Sequence, residues 1–203
     1  MGRHSASSGS PRAPRRAPGR LVWIVLLVAL GVLILDQVSK FLAVQSLSEG
    51  QRISLVGDWL TLYLVYNPGA AFSFASGATW IFTIIAVVVI VVVIRVSRSL
   101  GSVWWSLCLG LLLGGAGGNL IDRLVREPSF GQGHVVDFIA YGNLFVGNVA
   151  DIAIVLAALG VAVLAVLGIE VDGSRPSSDG DGTEDAAGHG EGVRRQSILP
   201  ENE

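Results

Sequence analysis

Four apolar segments, residues 21–35, 78–94, 102–121 and 151–169, constrain this chain more than any other feature. The stretch from Ala86 to Ile94 is apolar at every position, a pattern whose solvent is lipid rather than water. At about 1.5 Å per residue the last three segments approach or span a hydrocarbon core of about 30 Å. The first is short unless its helix runs on through Val38, Phe41, Leu42 and Val44. We therefore read spans over 21–44, 78–94, 102–121 and 151–169, with Asp36 and Lys40 one helical turn apart near the outer end of the first. Composition agrees: of 203 residues 51% are hydrophobic and only 15% charged, and the length has room for one domain.

Charge is distributed unevenly. Residues 1–20 hold Arg3, Arg12, Arg15, Arg16 and Arg20 and no acid, whereas residues 171–203 are strongly acidic. Both tails are poor in large apolar residues, so both are expected to be disordered around a membrane domain at 21–170. A basic arm next to a span is a topology signal and a contact for anionic membrane lipid, so no nucleic-acid partner is expected. No small-x-small site follows the first apolar run, which predicts an uncleaved span rather than a signal peptide. The positive-inside rule then puts both termini in the cytoplasm, with Arg95 and Arg98 at the inner end of span two. Segments 36–77 and 122–150 fall on the extracytoplasmic face. Within the first, residues 52–66 are rich in β-branched and aromatic residues, and Gly57-Asp58 supplies a turn, so a small sheet on the membrane surface is expected. The fold class is thus all-α membrane, a four-transmembrane-helix bundle with a small β-sheet cradle outside.

The polar residues of the spans and outer segments are candidates for chemistry, because ionisable groups at membrane depth are costly. Asp36 and Lys40 have the i, i+4 spacing of an ion pair, interfacial or part of a site. Gly110, Gly114 and Gly118 allow span three to approach a neighbour closely. At its end Asn119 and Asp122 share a helical face while Arg123 points elsewhere; a polar helix end accounts for them as well as a site does. Asp137 lies inside the apolar pentapeptide 135–139, where desolvation raises a carboxyl pKa. Asp151 opens span four, and Asn148 has the spacing of an N-cap before it. Cys108 sits in an apolar run without an activating neighbour and reads as a buried structural thiol.

Two carboxylates close together in a poorly solvated site share a proton, so one can activate water while the other polarises a peptide carbonyl. That chemistry needs no metal or cofactor, and none is expected. His4 and His189 lie in the tails and His134 stands alone between spans three and four, too few histidines for a His-based zinc site.

Five motifs occur in order: 36–40 (DQVSK), 67–72 (NPGAAF), 118–123 (GNLIDR), 135–138 (VVDF) and 148–151 (NVAD). Together, over residues 21–169, they resemble the lipoprotein signal peptidase (signal peptidase II) family. The resemblance implies a bacterial inner-membrane aspartic endopeptidase that removes the signal peptide from prolipoproteins, cutting before a diacylglyceryl-modified cysteine. It implies Asp137 and Asp151 as the catalytic dyad. It implies Asp36, Lys40, Asn67, Gly69, Asn119, Asp122, Arg123 and Asn148 as residues that line or brace the site. Before Asn148, where family members often carry Phe-Pro-x-Phe, this chain has Leu144-Phe145-Val146-Gly147. A compact four-span chain is expected to act as a monomer.

Two rivals come from other classes. A small carboxylate-lined transporter would also place aspartates in a bundle, but it would favour the midplane and broken helices. A scaffold held by the glycine-rich span would leave both aspartates dispensable.

Overall fold

The computed structural model describes residues 18–69 and 79–174. Of the tails expected to be disordered, residues 1–20 and 171–203, residues 1–17 and 175–203 lie outside the described residues, as do Ala70, Ala71 and Phe72 of the second motif, while residues 18–20 are helical. Four helices form the scaffold: α1 (Pro18–Ser46), α2 (Thr79–Val96), α3 (Val103–Val125) and α4 (Val149–Val166). All four are long and apolar enough to cross a membrane. The helix α1 does continue through Asp36 and Lys40. Its 29 residues extend to about 43 Å, which sets those two polar residues toward one end rather than at mid-depth.

The helix α3 packs against each of the other three. Its small residues make this possible. A Cβ at Gly114 would lie 2.7 Å from the Ala29 carbonyl of α1, and one at Gly115 would lie 2.6 Å from the Ala150 carbonyl of α4. Without side chains there, backbones approach closely in a solvent that supplies no hydrophobic drive between helices. At the end carrying the α2–α3 connection, Trp105 donates from Nε1 to the Ile169 carbonyl at 2.8 Å, and Gly168 ends α4 with φ +63°.

The opposite end carries one antiparallel sheet of β1 (Arg52–Val56), β2 (Leu60–Asn67), β3 (Val135–Tyr141) and β4 (Phe145–Gly147), in that order. The hairpin β1–β2 turns at Gly57, whose φ is +50°, as expected for residues 52–66. The sheet is larger than that expectation, because β3 and β4 extend it and Asp137 lies on a strand. Almost all of β3 is buried, so its apolar residues do not alternate with polar ones and the period-2 signal of a strand is missing. Leu64, Val136 and Phe138 pack on Ala43 and Leu47 at the end of α1. The register pairs Asn67 with Val135 and Val65 with Asp137, which sets the side chain of Asn67 beside that of Asp137.

Candidate active site

Asp137 projects from β3 and Asp151 from the first turn of α4, and Asn148 touches both. The Asn148 side chain donates from Nδ2 to Asp137 Oδ1 at 2.6 Å. Its backbone N–H donates to Asp151 Oδ2 at 3.0 Å, and its Oδ1 accepts from the Asp151 N–H at 3.0 Å. The last two bonds are a reciprocal capping box, so the sequence that starts α4 also fixes the relation of the two carboxylates. The remaining oxygens are satisfied too: Asn67 Nδ2 donates to Asp137 Oδ2 at 2.8 Å, and Asn119 Nδ2 donates to Asp151 Oδ1 at 2.9 Å.

The two amides are themselves oriented. The Gly69 N–H donates to Asn67 Oδ1 at 2.8 Å, which leaves the Asn67 NH2 facing Asp137. Gly69 has φ +95°, and a Cβ there would lie 2.5 Å from the Phe82 ring, so both conformation and space favour glycine. Lys40 Nζ donates to Asn119 Oδ1 at 2.9 Å, and Asn148 Nδ2 does so at 3.2 Å. The Asn119 NH2 is thereby directed at Asp151.

Burial pushes the Asp137 carboxyl up to about 6 from an ordinary 3.8; the Asp151 charge adds to the rise, while hydrogen bonds from Asn67 and Asn148 and the Lys40 charge oppose it. Burial, then the charge of Asp151, raises the Tyr141 phenol.

Behind these residues lies a buried ion cluster. Lys40 Nζ is 2.8 Å from both Asp36 Oδ2 and Asp122 Oδ2, and all three side chains are fully buried. Arg126 Nε meets Asp122 Oδ1 at 2.9 Å. The expected Asp36–Lys40 ion pair therefore exists, within the protein rather than at an exposed interface. A Cβ on Gly118 would collide with the Asp36 carboxylate.

Asn119 and Asp122 enter this network, and Arg123 faces elsewhere, as the helical spacing predicts. Arg123 is 8% exposed and its Cζ lies 5.2 Å from the centroid of the Phe82 ring of α2. Its Nη1 has no hydrogen-bond partner among the described residues. Sequence reasoning missed Gln37, Phe82 and Arg126 as contributors. Gln37 Nε2 donates to Asp36 Oδ2 and to the Gly118 carbonyl, both at 3.1 Å. The i, i+4 spacing of Asp122 and Arg126 was a usable signal. For Phe82, inside an apolar helix, there was none.

The family model described as Signal peptidase (SPase) II matches residues 28–167. The lipoprotein signal peptidase of Rhodococcus jostii (strain RHA1) is 48% identical over 169 residues, covering 83% of this chain and 84% of that one. That of Mycobacterium tuberculosis (strain ATCC 25618 / H37Rv) is 47% identical over 168 residues, covering 83% and 82%. Among solved structures, a bacterial membrane enzyme determined by the in meso method at 1.9 Å resolution is similar with a TM-score of 0.63. It is 25% identical, with 70% of this chain and 92% of that one covered. With motif order, four-helix scaffold and extensive identity in agreement, the chain belongs to the signal peptidase II family, the multi-pass bacterial membrane peptidases that process lipoproteins.

Proposed function

We propose that this protein is an aspartic endopeptidase that cleaves diacylglyceryl-modified prolipoproteins immediately before the lipidated cysteine, with Asp137 and Asp151 as the catalytic dyad. The observation that carries this reading is the double engagement of Asn148, which ties one oxygen of each carboxylate to a single residue. The positive-inside rule supports cytoplasmic termini and a site at the extracytoplasmic boundary. A lipidated substrate reaches such a site by lateral diffusion, with its acyl chains remaining in the bilayer.

Asp151 sits in the first turn of α4, the helix end that favours negative charge, and accepts two N–H donors. We assign it as the base that takes a proton from water. Asp137, with its raised pKa, carries the proton shared by the pair and donates it to the scissile carbonyl oxygen as the water oxygen attacks the carbonyl carbon. Collapse of the tetrahedral intermediate breaks the C–N bond. The proton taken by Asp151 passes to the leaving amine, and the carboxyl product returns the other to Asp137. Arg123, whose Nη1 has no hydrogen-bond partner among the described residues and whose charge interacts with those of Asp137 and Asp151, and Asn67, Asn119 and Asn148 supply polar contacts to the substrate backbone or the dyad.

Incubation of the purified protein with a diacylglyceryl-modified prolipoprotein, read by mass spectrometry, tests the proposal. The expected product begins at the lipidated cysteine. Cleavage elsewhere, or equal cleavage of the unlipidated precursor, would remove the lipid from the specificity argument.

A further inference from the structure

Beside Asp151 stands an aromatic pair not used by the chemistry above. Tyr141 ends β3 and Phe145 begins β4, the register sets them directly opposite, and their rings stack with centroids 4.7 Å apart and planes inclined by 25°. Gly147, two residues beyond Phe145 on the same side of β4, separates the stack from the carboxylate. A Cβ at Gly147 would lie 3.0 Å from Asp151 Oδ2 and 3.2 Å from Phe145 Cε2. The ring edge and the carboxylate oxygen are thus two van der Waals contacts apart, across a position with no side chain between them. Phe145 is 55% exposed, so its ring face is accessible beside the carboxylate.

We propose that the Tyr141–Phe145 stack is a substrate subsite, a flat apolar wall that receives an uncharged side chain of the peptide within one or two residues of the scissile bond. This rests on the assignment of Asp151 to the chemistry. An extended peptide advances about 3.3 Å per residue, so a chain that runs from the dyad toward β4 reaches the ring within one or two residues of the scissile bond. Stacking fixes the Phe145 ring on Tyr141, so little side-chain freedom is lost when substrate covers it. Gly147 keeps the passage open. The negative charge on Asp151, felt by the Tyr141 phenol, disfavours an acidic residue at this position.

Three measurements on one set of proteins test it. In cleavage assays, Phe145→Ala is expected to raise KM about tenfold, the effect of uncovering one aromatic contact, with kcat changed less than threefold. Phe145→Trp, which keeps a stacking ring, is expected to restore KM. An acidic residue introduced next to the substrate's cleavage site is expected to be cut poorly by wild type. Binding of the lipidated prolipoprotein to Asp137→Asn protein, with and without Phe145→Ala, checks affinity apart from chemistry. If wild type cleaves and Phe145→Ala leaves KM and binding unchanged, the subsite is overturned while the peptidase stands. If wild type does not cleave, the peptidase reading itself has failed. A folded Phe145→Ala protein that loses kcat at unchanged KM would make the ring a structural support for Asp151, which also overturns the subsite.

Discussion

Asp36 and Asp122 meet on a single ammonium group, each 2.8 Å from Lys40 Nζ, and each also holds the backbone just before one aspartate of the pair. Asp36 Oδ1 accepts the Ala150 N–H at 2.9 Å, next to Asp151. Asp122 Oδ2 accepts the Val136 N–H at 3.2 Å, next to Asp137. One buried cation thus anchors the strand and the helix that present the two carboxylates. Since the same cation also orients Asn119, position and hydrogen bonding are set from one place.

Removing that cation strands two buried carboxylates. Lys40→Met is expected to destabilise the protein by about 3–5 kcal/mol, the usual penalty for breaking a buried ion pair from one side. Thermal unfolding in detergent reads this as a large drop in Tm, and adding Asp36→Asn should recover part of it.

Capping and bridging by Asn148 can be separated. Asn148→Ser keeps an oxygen that accepts the Asp151 N–H but has no amide to reach Asp137. Because the lost amide leaves the buried Asp137 Oδ1 without that donor, unfolding should change by about 1–3 kcal/mol, while kcat falls on the order of a hundredfold, comparable to loss of one preorganised donor. Asn148→Ala should lower both.

The Asn67 hydrogen bond favours the Asp137 anion, so its removal raises the Asp137 pKa further above about 6. Activity that depends on the shared proton is lost as pH rises, and in Asn67→Ala this alkaline limb should move to higher pH. The kcat/KM profile, whose limbs belong to the coupled pair, reports the shift.

Stability carries the same sign. With a pKa of about 6 when folded against 3.8 ordinarily, Asp137 binds more protons in the native state between those values. Its contribution is full below about 3.8, falls as pH rises through about 6, and is absent above it. Asp137→Asn should remove this part of the slope of unfolding free energy against pH.

Gly118 has no room for a methyl group, which would meet the Asp36 carboxylate. Gly118→Ala is expected to cost about 1–3 kcal/mol through overpacking and to reduce activity by shifting Ala150 and hence Asp151. Paired Tm and kcat measurements check both effects.

Much of the helical scaffold was legible because lipid demands long apolar runs and glycine marks close helix contacts. The i, i+4 pair Asp36–Lys40 and the Asn148 cap were readable from spacing alone, and each exists in the structure. What spacing did not reveal was the strand nature of residues 135–141. A strand buried on both faces carries no alternation, so Asp137 read only as a carboxylate inside an apolar pentapeptide. The contacts across sequence, such as Asn67 with Asp137 and Asn119 with Asp151, depend on register and helix packing, which local pattern does not encode. Motif order over residues 21–169 had grouped those residues before any geometry joined them.

The most direct test of the central claim is cleavage of a diacylglyceryl-modified prolipoprotein by wild type, Asp137→Asn and Asp151→Asn, each verified as folded by its unfolding transition. The account predicts cutting before the lipidated cysteine by wild type and loss of at least a thousandfold in kcat for either variant, as expected when one member of an acid–base pair is removed. Cleavage that persists in both folded variants would contradict it and place the chemistry on other residues.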